Sequence, residues 1–149
     1  MFKKTITYSD FDGQSRTEDH YFNLSKAELI EMEMTTQGGY GRKMEAAIKA
    51  GEKSEIFKLI KELIVKSYGI KSPNGKTFIK SAEITNEFLQ SEAYSVFLMD
   101  IISDAGKLSE FFNKIMPSDL RAQVEKMKKD GQLPEIIGND GKVIELVDN

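Results

Sequence analysis

Tyr94-Ser95-Val96-Phe97-Leu98-Met99-Asp100-Ile101-Ile102 decides how this chain is built. Seven of these nine residues are apolar, and no single helical stripe can hold them all. A helix that is greasy all round must be surrounded. The block is too short to span a membrane, so its neighbours come from this chain or from another protein.

On its N-terminal side the apolar phase is lost from Gln90 to Ala93, which implies a bend or break. Before it, Ser81 is placed to cap a helix carrying Ile84, Phe88 and Leu89. On the other side Leu108, Phe111, Phe112, Ile115 and Met116 repeat the helical spacing until Pro117 stops it. Ser118 can then cap a last helix on Leu120, Val124 and Met127, ended by Gly131, with Arg121, Lys126, Lys128 and Lys129 on its solvated face. Pro134, Gly138 and Asn139-Asp140-Gly141 make residues 132–149 a flexible tail or a small hairpin.

The first half reads differently. Phe2, Lys4, Ile6 and Tyr8 alternate with Lys3, Thr5 and Thr7 as in a half-buried strand, and Asp10-Phe11-Asp12-Gly13 supplies a turn into a second strand from Arg16 to Phe22. A lone hairpin is marginal in water, so it should lie on the helices or pair with another chain. Ser25 and Glu28 form a capping box, with Leu24 and Leu29 as the hydrophobic staple, for a helix from Lys26 to Thr35. Gln37-Gly38-Gly39-Tyr40-Gly41 should be a flexible connector into a helix from Arg42 to Ala50, which Gly51 ends. Ile56, Leu59, Ile60, Leu63, Ile64 and Tyr68 keep helical spacing up to Gly69. Ser72-Pro73-Asn74-Gly75 is a turn, followed from Lys76 to Lys80 by an extended segment or ordered loop.

The expected class is therefore α+β, mainly α: an N-terminal β-hairpin, then a bundle of about five to six helices. Residues 1–131 should form a single domain, with the hairpin at 2–24 and the helical part at 25–131.

Composition narrows the function. A formal charge of −3 lacks the basic excess that a phosphate backbone requires, so nucleic acid is not an expected partner. With no cysteine and a single histidine, thiolate and multi-histidine metal sites are excluded. The N-terminus has no apolar stretch of the secretory type, and the chain reads as soluble and intracellular.

Candidate chemistry is thin. Gly38-Gly39-Tyr40-Gly41-Arg42-Lys43 offers amides and cations but matches neither phosphate-loop nor dinucleotide spacing, and reads as a helix connector. Asp10, Asp12 and Gly13 begin like a calcium loop without its later ligands, which favours a hairpin turn. His20 beside Glu18 and Asp19 could form an acid–base pair, but without a nucleophile it reads as a surface strand histidine. Glu28, Glu31 and Glu33 lack the histidines of a metal-binding helix. Neither an enzyme nor a cofactor is expected.

Phe88, Tyr94, Phe97, Met99, Phe111, Phe112 and Met116 are another matter, because methionine with phenylalanine suits adaptable protein-binding surfaces. Any single one of them more simply fills the core, since amphipathic helices bury such residues by default. As a set they are the expected partner-binding residues, with the helices from Phe88 to Met116 forming an apolar groove.

Particular runs also resemble a known family. Thr5-Ile6-Thr7-Tyr8 through Asp12-Gly13, Arg16-Thr17-Glu18-Asp19, Tyr21-Phe22-Asn23-Leu24-Ser25-Lys26-Ala27-Glu28-Leu29 and Glu31-Met32-Glu33 come first. Lys66-Ser67-Tyr68-Gly69, Phe78-Ile79-Lys80, Ser91-Glu92-Ala93-Tyr94 and Met116-Pro117-Ser118-Asp119-Leu120 follow in order. Together they resemble the tail assembly chaperones of phages and prophages of Gram-positive bacteria, over Thr5 to Leu120. The resemblance implies an assembly factor that works without ATP in the host cytoplasm and is absent from the finished virion. Its implied client is the tape measure protein, kept soluble until the tail forms, with the major tail tube protein as a further partner. Self-association into a homo-oligomer would let weak contacts add along a long client. The alternative from another class is a tail completion or connector protein retained in the virion.

Overall fold

A computed structural model, which describes residues 1–115, carries the alternating N-terminal segment as β1 (Phe2–Ser9), paired antiparallel with β2 (Ser15–Phe22). Asp10 organises the turn between them. Its carboxylate accepts from the amides of Asp12 and Gln14, each at 2.9 Å, and from Arg16 Nε at 2.7 Å, while Gly13 supplies the positive φ of 79°. The two aspartates thus serve the turn, as their spacing implied.

The hairpin is extended by its own chain. Strand β3 (Tyr68–Lys71) pairs with β2, placing Tyr68 opposite Phe22, and β4 (Phe78–Ile79) pairs with β3, giving an antiparallel sheet in the order β1-β2-β3-β4. The helical spacing that runs to Tyr68 therefore overshoots, since α3 is Lys53–Ser67 and Tyr68 already belongs to a strand. Both readings bury the ring, so periodicity alone could not separate them. Gly69 does not end a helix at positive φ. It is small because a Cβ there would sit 2.6 Å from the Phe78 ring and 2.8 Å from the Ile79 carbonyl oxygen.

Helix α1 (Lys26–Thr35) starts with both halves of the expected capping box: the Glu28 amide donates to Ser25 Oγ at 3.1 Å and the Ser25 amide to Glu28 Oε1 at 2.9 Å. Gly38 and Gly39 turn the chain at φ 78° and 89°, and α2 (Tyr40–Ala50) begins at once. The connector is shorter than its glycines suggested, because Tyr40 is a core residue whose hydroxyl donates to the Leu59 carbonyl at 2.6 Å. Gly51, at φ 65°, ends α2 as expected. Ser81 caps α4 (Ala82–Leu89) by accepting from the Ile84 amide, and the anticipated break separates it from α5 (Glu92–Ile102) and α6 (Ala105–Ile115). These are six helices among the described residues. The helix expected after Ser118, the domain limit at 131 and the tail lie outside them.

One face of the sheet carries Phe2, Ile6 and Phe22, and α5 and α6 pack on its β1 end while α4 packs beside β3. Phe22 is the centre of the core. Its ring stacks on Phe97 at 4.6 Å and meets Phe2, Tyr68, Phe88 and Phe111 at 5.3 to 6.1 Å. The amide of Leu24 donates to the Ile115 carbonyl at 2.9 Å, so the end of α6 is held against the exit of the hairpin.

Candidate functional site

The residues expected to face a partner do not share one degree of exposure. Phe88, Phe97, Phe111 and Phe112 are buried in the aromatic core, Tyr94 is half-buried, and Met99 is 66% exposed. Met116 lies outside the described residues. The four phenylalanines are therefore covered in the folded chain. Phe97 and Phe111 are received by Phe2 and Phe22 of the hairpin and Phe88 by Tyr68 of β3, so the core alternative holds for these residues.

The all-round apolarity of α5 has a definite geometry. Ala93, Phe97 and Ile101 recur every four residues and are buried, whereas Val96, Met99 and Ile102 recur every three and are 41%, 66% and 43% exposed. At 3.6 residues per turn the second stripe lies on the far side of the helix from the first. Asp100 lies between the two and pairs with Lys4 of β1 at 2.7 Å and Lys107 of α6 at 2.6 Å, which fixes the rotation of the helix. Other large apolar groups stand outward on α1, at Ile30 and Met34, and on α3, at Phe57.

His20 is not the surface histidine its polar neighbours suggested. Register places it opposite Lys4 on the helix-facing side, where β3 and α4 close over it and leave its side chain 12% exposed. Its Nδ1 lies 3.0 Å from the Tyr68 hydroxyl and its ring 5.0 Å from that of Phe88. Asp19 projects to the opposite face and accepts from Thr5 Oγ1 at 2.6 Å, so strand alternation separates it from His20. Glu18 shares the face of His20, but its carboxylate stands 3.8 Å from Nε2, beyond hydrogen-bond reach.

Burial holds the His20 imidazole below its ordinary 6.5, against the opposing pull of Glu18 and Asp19. Between the two values the unfolded chain binds the extra proton, so this contribution to stability is complete above about pH 6.5 and is lost as the pH falls below it. We expect the urea midpoint to drop from pH 7 to pH 5, with a shallower slope in His20→Gln. Identical slopes in the two proteins would refute the assignment.

A groove of about 450 Å³ runs between α1 and α4 and includes Met32, Thr35, Val65 and Thr85. Lys80 closes one part of it. Its ammonium donates to Asn23 O at 2.7 Å, Glu28 Oε2 at 2.7 Å and Lys66 O at 2.8 Å, which uses all three of its protons. Burial pulls the Glu28 carboxyl up, but Lys80 and the Ser25 amide outweigh it and hold it below its usual value.

Among the described residues no group of three or more histidine, cysteine, aspartate or glutamate side chains could hold a metal ion, and no helix is long and apolar enough to cross a membrane. An aromatic-cored α+β fold with an apolar stripe left on its surface defines a small protein suited to act through contact. The family model for phage tail assembly chaperones matches residues 1–145, and the chain belongs to that family. It is accordingly a chaperone of tail assembly, with tail proteins as its partners. No curated protein and no solved structure matches it significantly.

Proposed function

We propose that this chaperone binds the tape measure protein and keeps it soluble while the tail is built, without catalysis. The observation that carries the reading is α5, which fills the core with one side and leaves Val96, Met99 and Ile102 on the other. A long helical client with an unburied apolar stripe aggregates in water, and a row of exposed aliphatic and methionine side chains is the complement that can cover it. Tyr94 lies on the core side of the helix against Phe88, and the buried phenylalanines hold α5 in place behind the row. The work is done in the host cytoplasm before the virion is complete. Copies associated along the client would gain from multivalency, and the tail tube protein is a further candidate partner.

Co-expression tests this. The tape measure protein should be soluble with the wild-type chain and aggregate without it. Val96→Glu combined with Met99→Glu should cut the soluble client several-fold while leaving the circular dichroism and urea midpoint of the chaperone unchanged, because both positions are exposed. A client equally soluble in all three cases overturns the proposal. Mass spectrometry of purified virions decides against it in another way if the chain is found there at stoichiometric amounts, as a connector protein would be.

A further inference from the structure

Strand β1 stands at the edge of the sheet. Among the described residues it pairs on one side alone, with β2, in an unbroken register from Phe2 to Ser9. The Asp10 amide donates to the Gln14 carbonyl at 2.8 Å, which sets the alternation of the ladder. Tyr8, Ile6, Lys4 and Phe2 therefore bond β2, and the backbone N–H and C=O groups of Lys3, Thr5 and Thr7 point out of the sheet.

A long free edge is a template for another strand unless it is blunted. The usual devices are missing from β1. It has no proline, its register runs without a bulge, and its two lysines are turned to acids of the same chain, Lys3 to Asp19 at 3.4 Å and Lys4 to Asp100 at 2.7 Å. The opposite edge, β4, is Phe78–Ile79 alone.

A sequence suited to that edge follows later in the chain. Val143-Ile144-Glu145-Leu146-Val147 is rich in β-branched residues and alternates, with Ile144 and Leu146 on one side and Glu145 between two valines on the other. The Ile115 carbonyl accepts from the Leu24 amide at 2.9 Å, and Phe111 meets Phe2 at 5.5 Å, so α6 ends near the beginning of β1. Residues 116–142 can extend to about 90 Å, several times the length of the strand. Such a tether holds the segment at a local concentration of roughly millimolar, which favours it over a free partner. Charge agrees: β1 carries lysines and no acid, while residues 143–149 carry Glu145 and Asp148 and no base.

We infer that Val143 to Val147 adds to the free edge of β1, with Ile144 and Leu146 on the helix side of the sheet, where Phe2 and Ile6 lie, and Glu145 on the side of Lys3 and Thr5. The added strand closes that edge to a second copy of the chain. It stands independently of which tail protein is the client.

Amide hydrogen exchange in the full chain, read residue by residue by NMR, is the test. The amides of Lys3, Thr5 and Thr7 should be protected nearly as well as those of Lys4, Ile6 and Tyr8, at any protein concentration. The full-length double variant Ile144→Pro with Glu145→Pro removes a donor from whichever side faces β1. In it the three outward amides should exchange about tenfold faster while the three inward ones keep their protection. Outward amides that exchange in the native chain as fast as that of exposed Phe11, or that stay protected in the double variant, overturn the proposal. Protection that rises with protein concentration also overturns it, because a second copy is then the occupant. Should the variant lose its inward protection too, nuclear Overhauser contacts between backbone protons of β1 and of residues 143–147 in the native chain decide: their presence upholds the added strand and their absence refutes it.

Discussion

Phe22→Ala will cost about 3–5 kcal/mol and leave the chain largely unfolded at 37 °C, the span measured for phenylalanine truncation in well-packed cores. The reason is position. Phe22 is fully buried where the sheet, α4, α5 and α6 converge, and its ring touches five other aromatic rings. Those neighbours sit on separate elements, so they cannot close the space by a local adjustment. Urea unfolding followed by far-ultraviolet circular dichroism gives the measurement. Phe57→Ala is the control: Phe57 is exposed on α3 and its loss should matter little. A Phe22→Ala protein within about 1 kcal/mol of wild type would show that the ring cluster is not the centre of stability.

Lys80→Met should cost about 2–3 kcal/mol, more than a lysine at a typical surface. Methionine keeps an unbranched apolar side chain of similar reach, so the loss reports mainly on the ammonium. That group joins the end of the hairpin at Asn23, the start of α1 at Glu28 and the last turn of α3 at Lys66. Removing it takes the donor from the part-buried Asn23 carbonyl and the charge partner from Glu28, which keeps only the Ser25 amide. The double variant Lys80→Met with Glu28→Gln isolates the charged part. If it is as unstable as the sum of the single variants, Lys80 and Glu28 are not coupled and the ion pair contributes nothing.

Much of the architecture was written locally. The alternation of Phe2 to Tyr8, the Asp10 turn, the Ser25–Glu28 box and the Ser81 cap depend on neighbours a few residues away, and each forms as its pattern implies. What spacing could not supply was partnership across the chain. Tyr68 and Gly69 keep helical phase with α3 but obey a longer-range demand, the open edge of β2 beside them. His20 stands between polar neighbours, and only the register opposite Lys4 turns it inward. The same limit applies to the partner surface. Composition marked the segment from Phe88 to Met116 as unusually rich in aromatic and sulfur side chains, yet which side of α5 stays wet depends on β1, which packs against it from the other end of the sequence.

That remote pairing of β1 also sets an order of events during synthesis. Phe2 rests on Phe97 and Phe111, so β1 has no roof until α5 and α6 have been made. Loop closure across such a distance is a late step. During synthesis Phe2, Ile6 and Phe22 therefore stay uncovered until α6 has emerged, and the folded surface is complete only after that.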